Sequence, residues 1–431
     1  MISAQGIIAQ IKRKLSDKFI QNLGWLGGSQ LVVRFFRLAT TVVLARLLSP
    51  TDYGLAALVL TTNEFVNVFT RSGVVTKLIQ AREEELEPLC ETAYWFNWIL
   101  FSFLFIVQCL IAYPVSLSYQ HNTLILPICL MGMVYLILPL GIVQCALIQR
   151  ESRLKIVAIC NTLQLSSDCV LTVIFAFLDM GMWAVILPKV LVAPIWVAFY
   201  YFNHSWRPKG RFTLKHWRSI FDYSRSILGI ELLTTLRNNV DYLLVGRFLG
   251  VQALGIYYFA FNAGLGISLS VITACSSALF PYLCAVNTDL AQLKSRFFSG
   301  LRTIALITVP LILIQSSLAP WYVPIVFSQK WTEAGAIPVL ILICLSALPR
   351  PFADAASQLT CAVGKPQINL QWNLIFTIMF VIAIGISTQW GILGVATAVL
   401  LAHITILPIF TVWVGRYVFD SHPGSYLKPE H

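Results

Sequence analysis

Long apolar runs alternate with short polar breaks from about residue 24 to residue 416. Twelve runs come close to or exceed the roughly 20 residues that a helix needs to cross a bilayer. They lie at 24–48, 53–79, 92–113, 123–148, 154–177, 181–202, 219–248, 253–283, 297–319, 335–361, 367–388 and 391–416. The pattern predicts an all-α polytopic membrane protein of about twelve transmembrane helices. Residues 1–20 follow a different rule. Ile7, Ile8, Ile11, Leu15 and Phe19 recur at helical spacing opposite Lys12, Lys14 and Lys18, which predicts an amphipathic helix lying on a membrane surface.

Composition agrees with the pattern. Of 431 residues, 58% are hydrophobic and only 11% charged, against about 25% charged in a soluble domain. The deficit runs along the whole length, so the chain is expected to be integral to the membrane and not a soluble domain with an anchor. The net charge of +11 would suggest nucleic acid in a soluble chain; here it tracks loop position. With the N-terminus inside, twenty basic residues fall on the inner side and three (Arg46, Arg247 and Lys330) on the outer. That asymmetry predicts an N-in, C-in topology. Ten cysteines without a CxxC pair read as small apolar residues, with no disulfide framework or metal site. Trp321, Tyr322 and Trp331 in the outer loop 320–334 are expected to form an interfacial aromatic belt.

The two halves of the chain echo each other. LARLLSPTDYGLAA (44–57) aligns with VGRFLGVQALGIYY (245–258), matching Arg46 to Arg247 and Gly54 to Gly255 at an offset of 201 residues. Pro139 and the Pro349/Pro351 pair are expected to break the fourth helix of each half. Six helices per half, both starting inside, predict parallel repeats forming two lobes around a central cleft. The expected divisions are an amphipathic segment 1–20, a lobe 21–205, a basic linker 206–218, a second lobe 219–418 and a tail 419–431. Arg46 and Arg247 sit at helix ends, where they would complement the helix dipole. Gly54 and Gly255 would permit close helix approach.

Charges inside the apolar runs change the picture most. Lys189 and Arg225 lie near enough to helix ends to snorkel. Arg34, Arg37, Arg71, Arg237 and Arg350 do not. An isolated arginine at bilayer depth costs at least roughly 2.5–3.5 kcal/mol. The five are candidates for a cationic cleft that binds phosphate, because guanidinium pairs bidentately with phosphate oxygens and stays charged. The competing expectation is structural pairing with Glu64, Glu231, Asp241 or Asp354. Asp241, Glu64 and Asp168 are the candidates for cation coupling; Asp241 could equally hold Arg237, four residues earlier on the same face. The sequence contains no Walker loop, HExxH or GxSxG motif, so no enzymatic constellation is expected.

LARLLSPTDYGLAAL, IQRESRLK and NNVDYLLVGRFLGVQALGIYYFAF resemble the Wzx-type polysaccharide flippases of the multidrug/oligosaccharidyl-lipid/polysaccharide exporter superfamily. The resemblance covers residues 20 to about 415. It implies two six-helix lobes and transport of an undecaprenyl-diphosphate-linked oligosaccharide across the bacterial inner membrane by alternating access, driven by H+ or Na+ without a bound cofactor. Membrane lipids and a polysaccharide polymerase or export machinery are the implied partners; nucleic acid is not. Many members carry two further C-terminal helices beyond the twelve runs, so no role that depends on them is expected from the resemblance. A drug/cation antiporter of the same superfamily and a non-transporting scaffold of a polysaccharide assembly complex remain as alternative readings.

Overall fold

The computed structural model describes residues 18–71, 74–209, 217–286 and 289–419. Most of the expected surface helix, part of the basic linker, the tail beyond Phe419, and the side chains of Arg71 and Arg225 lie outside the described residues. The first half contains α1 (Lys18–Leu47), α2 (Pro50–Asn67), α3 (Val74–Gln80), α4 (Glu83–Tyr119), α5 (Ile125–Ile137), α6 (Pro139–Arg150), α7 (Leu154–Phe177) and α8 (Trp183–Asn203). The second contains α9 (Trp217–Leu249), α10 (Val251–Cys284), α11 (Leu290–Tyr322), α12 (Ala336–Ser346), α13 (Arg350–Ala362), α14 (Pro366–Ser387) and α15 (Gly391–Phe419). Among the described residues six helical stretches are long and apolar enough to cross a membrane, and two bent pairs bring the number to eight. One of the six, Pro366–Phe419, holds two of the runs read from the sequence. These are α14 and α15, which pack on each other across the turn Thr388–Trp390.

Both expected proline breaks occur. Pro139 opens α6 after a bend of 52° from α5, because the ring removes a donor and crowds the preceding turn. The Pro349/Pro351 pair separates α12 from α13. Large apolar side chains such as Phe103, Leu110, Phe202 and Leu306 are exposed, as helix faces meeting lipid require.

The chain forms two compact units. One gathers Met1–Leu48 with Val59–Leu232, and the other Ser49–Leu58 with Leu233–His431. The opening turns of α2 therefore belong with the second unit. Their start is set locally. Ser49 and Asp52 cap reciprocally, with Ser49 Oγ on Asp52 Oδ2 at 2.6 Å and the Asp52 N–H on Ser49 Oγ at 3.1 Å, and Pro50 supplies the first helical φ. The matching position in the second half, Gly250, precedes α10 with φ of +88°.

Within the second unit, α2 and α10 meet at the two repeated glycines. A Cβ on Gly54 would lie 1.9 Å from the Val251 carbonyl oxygen, and one on Gly255 would lie 1.7 Å from that of Pro50. Positions 50 and 251, like 54 and 255, differ by the repeat offset of 201, so each helix presents its glycine to the other's first residue. Beside this crossing, Trp331 is fully buried. Its indole stacks on Phe259 at 3.9 Å and meets Tyr53 edge-on at 5.2 Å. It is thus core, not part of an interfacial belt. Trp321 is the exposed member of the three.

The first unit packs α1 on α7, α7 on α8, and α4 on α5. Hydroxyls pin the first contact: Ser29 Oγ donates to the Ala158 carbonyl at 3.1 Å, and Thr162 Oγ1 donates to Ser29 Oγ at 2.7 Å. At one end of the unit, Arg150 gathers the carbonyls that finish α3. It donates to Leu78 and Ile79 at 3.1 Å and to Ala81, and pairs with Glu83 at 2.9 Å. The last carbonyls of a helix lack the usual donors of a following turn, and that of Leu78 also accepts from the Ala81 N–H at 3.4 Å. Replacing Arg150 by Gln is expected to cost roughly 2–3 kcal/mol, seen as a lower melting temperature of the solubilised protein.

The start of the basic linker is fastened to the same end. The Lys209 backbone N–H donates to Glu91 Oε1, its ammonium pairs with Glu87, and Arg207 stacks over Tyr201. His204 Nε2 lies 3.2 Å from Glu151, while its Nδ1 accepts from the Trp206 N–H at 3.0 Å. Burial nudges the Glu151 carboxyl upward, but hydrogen bonds from Arg153 and His204 outweigh it and hold the group below the usual carboxylate range. A depressed carboxylate contributes stability above its unfolded value and loses it as pH falls through its folded one. Segment 203–209 is therefore expected to become more sensitive to protease on acidification, and Glu151→Gln to remove that part of the response.

Candidate functional site

The sequence candidates divide between the units. In the first, Arg34 is half-buried and Arg37 exposed on α1, while Glu64 on α2 is half-buried. Glu64 lies within electrostatic reach of Tyr135, whose hydroxyl donates to Asn63 Oδ1 at 3.0 Å. Gln108 Nε2 joins this cluster at 3.3 Å from Asn63 Oδ1. Asp168 on α7 pairs with Lys189 on α8 at 3.2 Å. Lys189 therefore has a carboxylate partner within the unit, and Asp168 is committed to an ion pair. Its second oxygen, Oδ1, is buried without a hydrogen-bond partner among the described residues. The side chain of Arg71 lies outside those residues.

The second unit brings together Arg237, Arg350 and Asp241, and adds Asp354, Asn369, Asn373 and His403. Arg237 on α9 donates to Asn373 Oδ1 on α14, and Asn373 in turn donates to Asn369 Oδ1 at 3.0 Å. Asp241, one turn beyond Arg237, does not pair with it among the described contacts. One of its oxygens accepts from the Tyr257 hydroxyl on α10 at 2.9 Å and the other from the Tyr242 N–H at 3.0 Å. Asp241 is buried beneath Tyr242 and Tyr257, whose rings meet edge-on at 5.8 Å.

Arg350 opens α13. Its guanidinium lies over the Phe261 ring at 5.9 Å, and its Nε is buried with no hydrogen-bond partner among the described residues. Its attractive charges are Asp354, one turn on, and Asp241; both act through space, and neither makes an ion-pair contact with it among the described residues. Arg237 is drawn by Asp354 and repelled by Arg350. Asp354 is exposed. His403 on α15 is buried between the Phe376 and Phe380 rings, both at 5.6 Å. Its Nδ1 sits 2.7 Å from the Val399 carbonyl, and both arginines act on it.

Two features follow from these positions. With both carboxylates ionised and His403 neutral, the formal charges of Arg237, Arg350, Asp241 and Asp354 cancel. That balance is what a group of charges needs inside a membrane-crossing bundle, where an uncompensated ion costs several kcal/mol. The balance is nevertheless loose. Arg350 keeps unused donors, and Asp354 makes no hydrogen bond among the described residues, although the two act on each other. Two guanidiniums with spare donors can take a tetrahedral oxyanion by charge-assisted hydrogen bonds.

Asn369, Asn373 and His403 were not singled out from the sequence. The two asparagines stand four apart within INLQWNLIFT, a polar pair on one face of an apolar run, which is the signal that could have marked them. His403 gives none beyond being an ionisable residue in a membrane segment.

A profile of the family described as "Polysaccharide biosynthesis protein" matches residues 43–336. The chain is similar to the lipopolysaccharide biosynthesis protein WzxC of Escherichia coli (strain K12), 25% identical over 403 residues, covering 92% of this chain and 81% of WzxC. It is also similar to the teichuronic acid biosynthesis protein TuaB of Bacillus subtilis (strain 168), 21% identical over 421 residues, covering 96% of this chain and 86% of TuaB. Among solved structures, the lipid II flippase MurJ in an inward closed conformation superposes with a TM-score of 0.73 at 14% identity, over 90% of this chain and 86% of MurJ. An inward-facing multidrug resistance MATE family transporter gives 0.70 at 12% identity, over 90% of this chain and 94% of its own. At such identities the structural likeness is one of fold.

Proposed function

As the chain belongs to the polysaccharide biosynthesis protein family, we propose that it is a flippase moving a lipid-linked oligosaccharide across the bacterial inner membrane, with the diphosphate of the carrier lipid held by arginines. The observation that carries this reading is Arg350: a guanidinium within a membrane-crossing bundle, its Nε buried without a hydrogen-bond partner among the described residues, and close enough to Arg237 to act on its charge. Such a group is costly to hold without a ligand, and a diphosphate ester is the anion that polysaccharide precursors carry. Arg34 and Arg37 on α1 supply further positive charge in the other unit. The names of relatives agree: WzxC is named for lipopolysaccharide biosynthesis and TuaB for teichuronic acid biosynthesis, and MurJ, alike in fold, is named a lipid II flippase. Paired guanidiniums disfavour cationic cargo, which sets this reading apart from that of a cation exporter. Transport in this reading is coupled to a cation.

The test is translocation of a fluorescent polyprenyl-diphosphate-linked oligosaccharide in proteoliposomes, read by loss of quenching at the far leaflet. The wild-type protein is expected to translocate it. Replacing Arg34 and Arg37 together by Gln is expected to slow translocation by about tenfold or more, equivalent to about 1.4 kcal/mol. An unchanged rate would remove α1 from the substrate path, and a wild-type protein inert toward this lipid would overturn the reading itself.

A further inference from the structure

The coupling carboxylate can be named from contacts and charge balance. Asp241 is a poor choice, since both of its oxygens already accept hydrogen bonds. Asp168 is held by Lys189. Asp354 differs from both. It is exposed, makes no hydrogen bond or ion-pair contact among the described residues, and is balanced at a distance by Arg350 and Arg237. It thus occupies the electrostatic role that a bound anion would take over.

We propose that Asp354 is an internal counter-anion that gives up Arg237 and Arg350 to the substrate's phosphate and takes a proton as it does so, so that one proton binds with each lipid diphosphate. This rests on the proposed anion site. The reasoning is charge balance. The empty site sums to zero with Asp354 ionised. A phosphate oxyanion engaging both guanidiniums leaves Asp354 without counter-charge beside a second negative group, and a like charge at short range disfavours the ionised carboxylate. Protonation from bulk water, converting the carboxylate to a neutral carboxylic acid, offsets one negative charge of the ligand. No other reactant is needed. By linkage, anion binding promotes proton binding and the reverse to the same extent.

The groups around Asp354 come from several elements. Arg350 precedes it on α13 and Arg237 comes from α9, while Asp241 on α9 bears on Arg350. Tyr257 on α10 and His403 on α15 bear on Arg350 or Arg237, and α14 contributes the neutral Asn369 and Asn373. His403 is the second group able to take a proton. Its Nδ1 is engaged with the Val399 carbonyl, and the two arginines act through space against a positive charge on its ring.

The experiment is calorimetric binding of geranylgeranyl diphosphate, and in parallel of inorganic pyrophosphate, to the purified full chain in nanodiscs. Two buffers of different ionisation enthalpy report the protons taken up. The wild type is expected to gain about one proton per ligand beyond that gained by Asp354→Asn, and its affinity to weaken by up to about tenfold per unit of rising pH, following one-proton linkage. Asp354→Asn is expected to bind at least as tightly with a flatter pH profile, because the competing carboxylate is gone. Uptake equal in wild type and Asp354→Asn would overturn the inference while leaving the anion site standing. So would uptake that persists in Asp354→Asn and disappears in His403→Gln, since the proton would then belong to the imidazole. Failure of the wild type to bind either diphosphate would overturn the anion site and this inference together. Pyrophosphate bound as tightly as the prenyl ester would count against a lipid carrier, and the difference between wild type and Asp354→Asn would still decide the role of Asp354.

Discussion

Gly54→Ala and Gly255→Ala are each expected to cost about 3 kcal/mol or more, and to deplete the protein from the membrane. A new Cβ at 54 would meet the Val251 carbonyl oxygen at 1.9 Å and its Cγ1 at 2.8 Å; one at 255 would meet the Pro50 carbonyl oxygen at 1.7 Å. The obstacles are backbone atoms at the first turn of a helix, so no rotamer change relieves them and the helices must separate. Overpacking typically costs 1–3 kcal/mol, and more where backbone must move. Helix propensity alone predicts the opposite sign, since alanine is favoured over glycine by about 1 kcal/mol in a helix interior. Gly27→Ala and Gly28→Ala on α1 are the control, because among the described residues nothing lies within 4 Å of a Cβ at either position. They are expected to be neutral or to stabilise by up to about 1 kcal/mol. The double variant of Gly54 and Gly255 should lose less than the sum of the single losses, because helices pushed apart by the first methyl already make room for the second. Thermal unfolding of the solubilised protein measures all five variants against the parent. Additive losses would mean that the two contacts are independent and not one crossing.

How far the sequence disclosed this structure depends on the range of the interaction. Helices, their proline breaks and the glycine repeat are local or periodic features, and all were legible. The repeat told more than its alignment did. Matching Gly54 to Gly255 predicts two glycines needed for close approach, and the structure places each against the other's helix. Arg46 and Arg247, the other repeated pair, fall in the last turns of α1 and α9, where helix-end charge is favourable. Partner choice for the buried charges was not legible. Helical spacing offers Asp241 to Arg237, yet Arg237 reaches Asn373, 136 residues away, and Asp241 takes Tyr257. Lys189 lies near enough to a helix end to reach water, but finds Asp168 instead. Trp331 has the composition of an interfacial residue and is stacked in the core. In each case the deciding contact comes from another helix, and hydropathy along one strand of sequence carries no record of which helix that will be.

Arg350→Met is expected to abolish translocation and to lower stability by about 1–3 kcal/mol, because the buried Asp241 loses a counter-charge that acts on it through space. The variant leaves Asp241 and Asp354 facing Arg237 alone, a formal charge of −1 within a membrane-crossing bundle. Two companion variants separate the structural loss from the functional one. Arg350→Lys keeps the charge sum at zero, so its stability should stay within about 1 kcal/mol of the parent. Lysine, however, replaces a planar fork of donors by a point charge, and its translocation rate should fall by about tenfold or more. The double variant Arg350→Met with Asp354→Asn again balances the sum, Arg237 against Asp241, and should recover most of the lost stability. It lacks one of the two guanidiniums, so it should remain inactive in proteoliposomes while expressing and melting much like the parent. A double variant that recovers stability and also translocates would mean that Arg350 serves only to neutralise the carboxylates. Stability recovered without transport, together with the slowed transport of Arg350→Lys, would assign it to the substrate, because Arg350→Lys keeps both Asp354 and the charge sum and changes only the phosphate-binding fork.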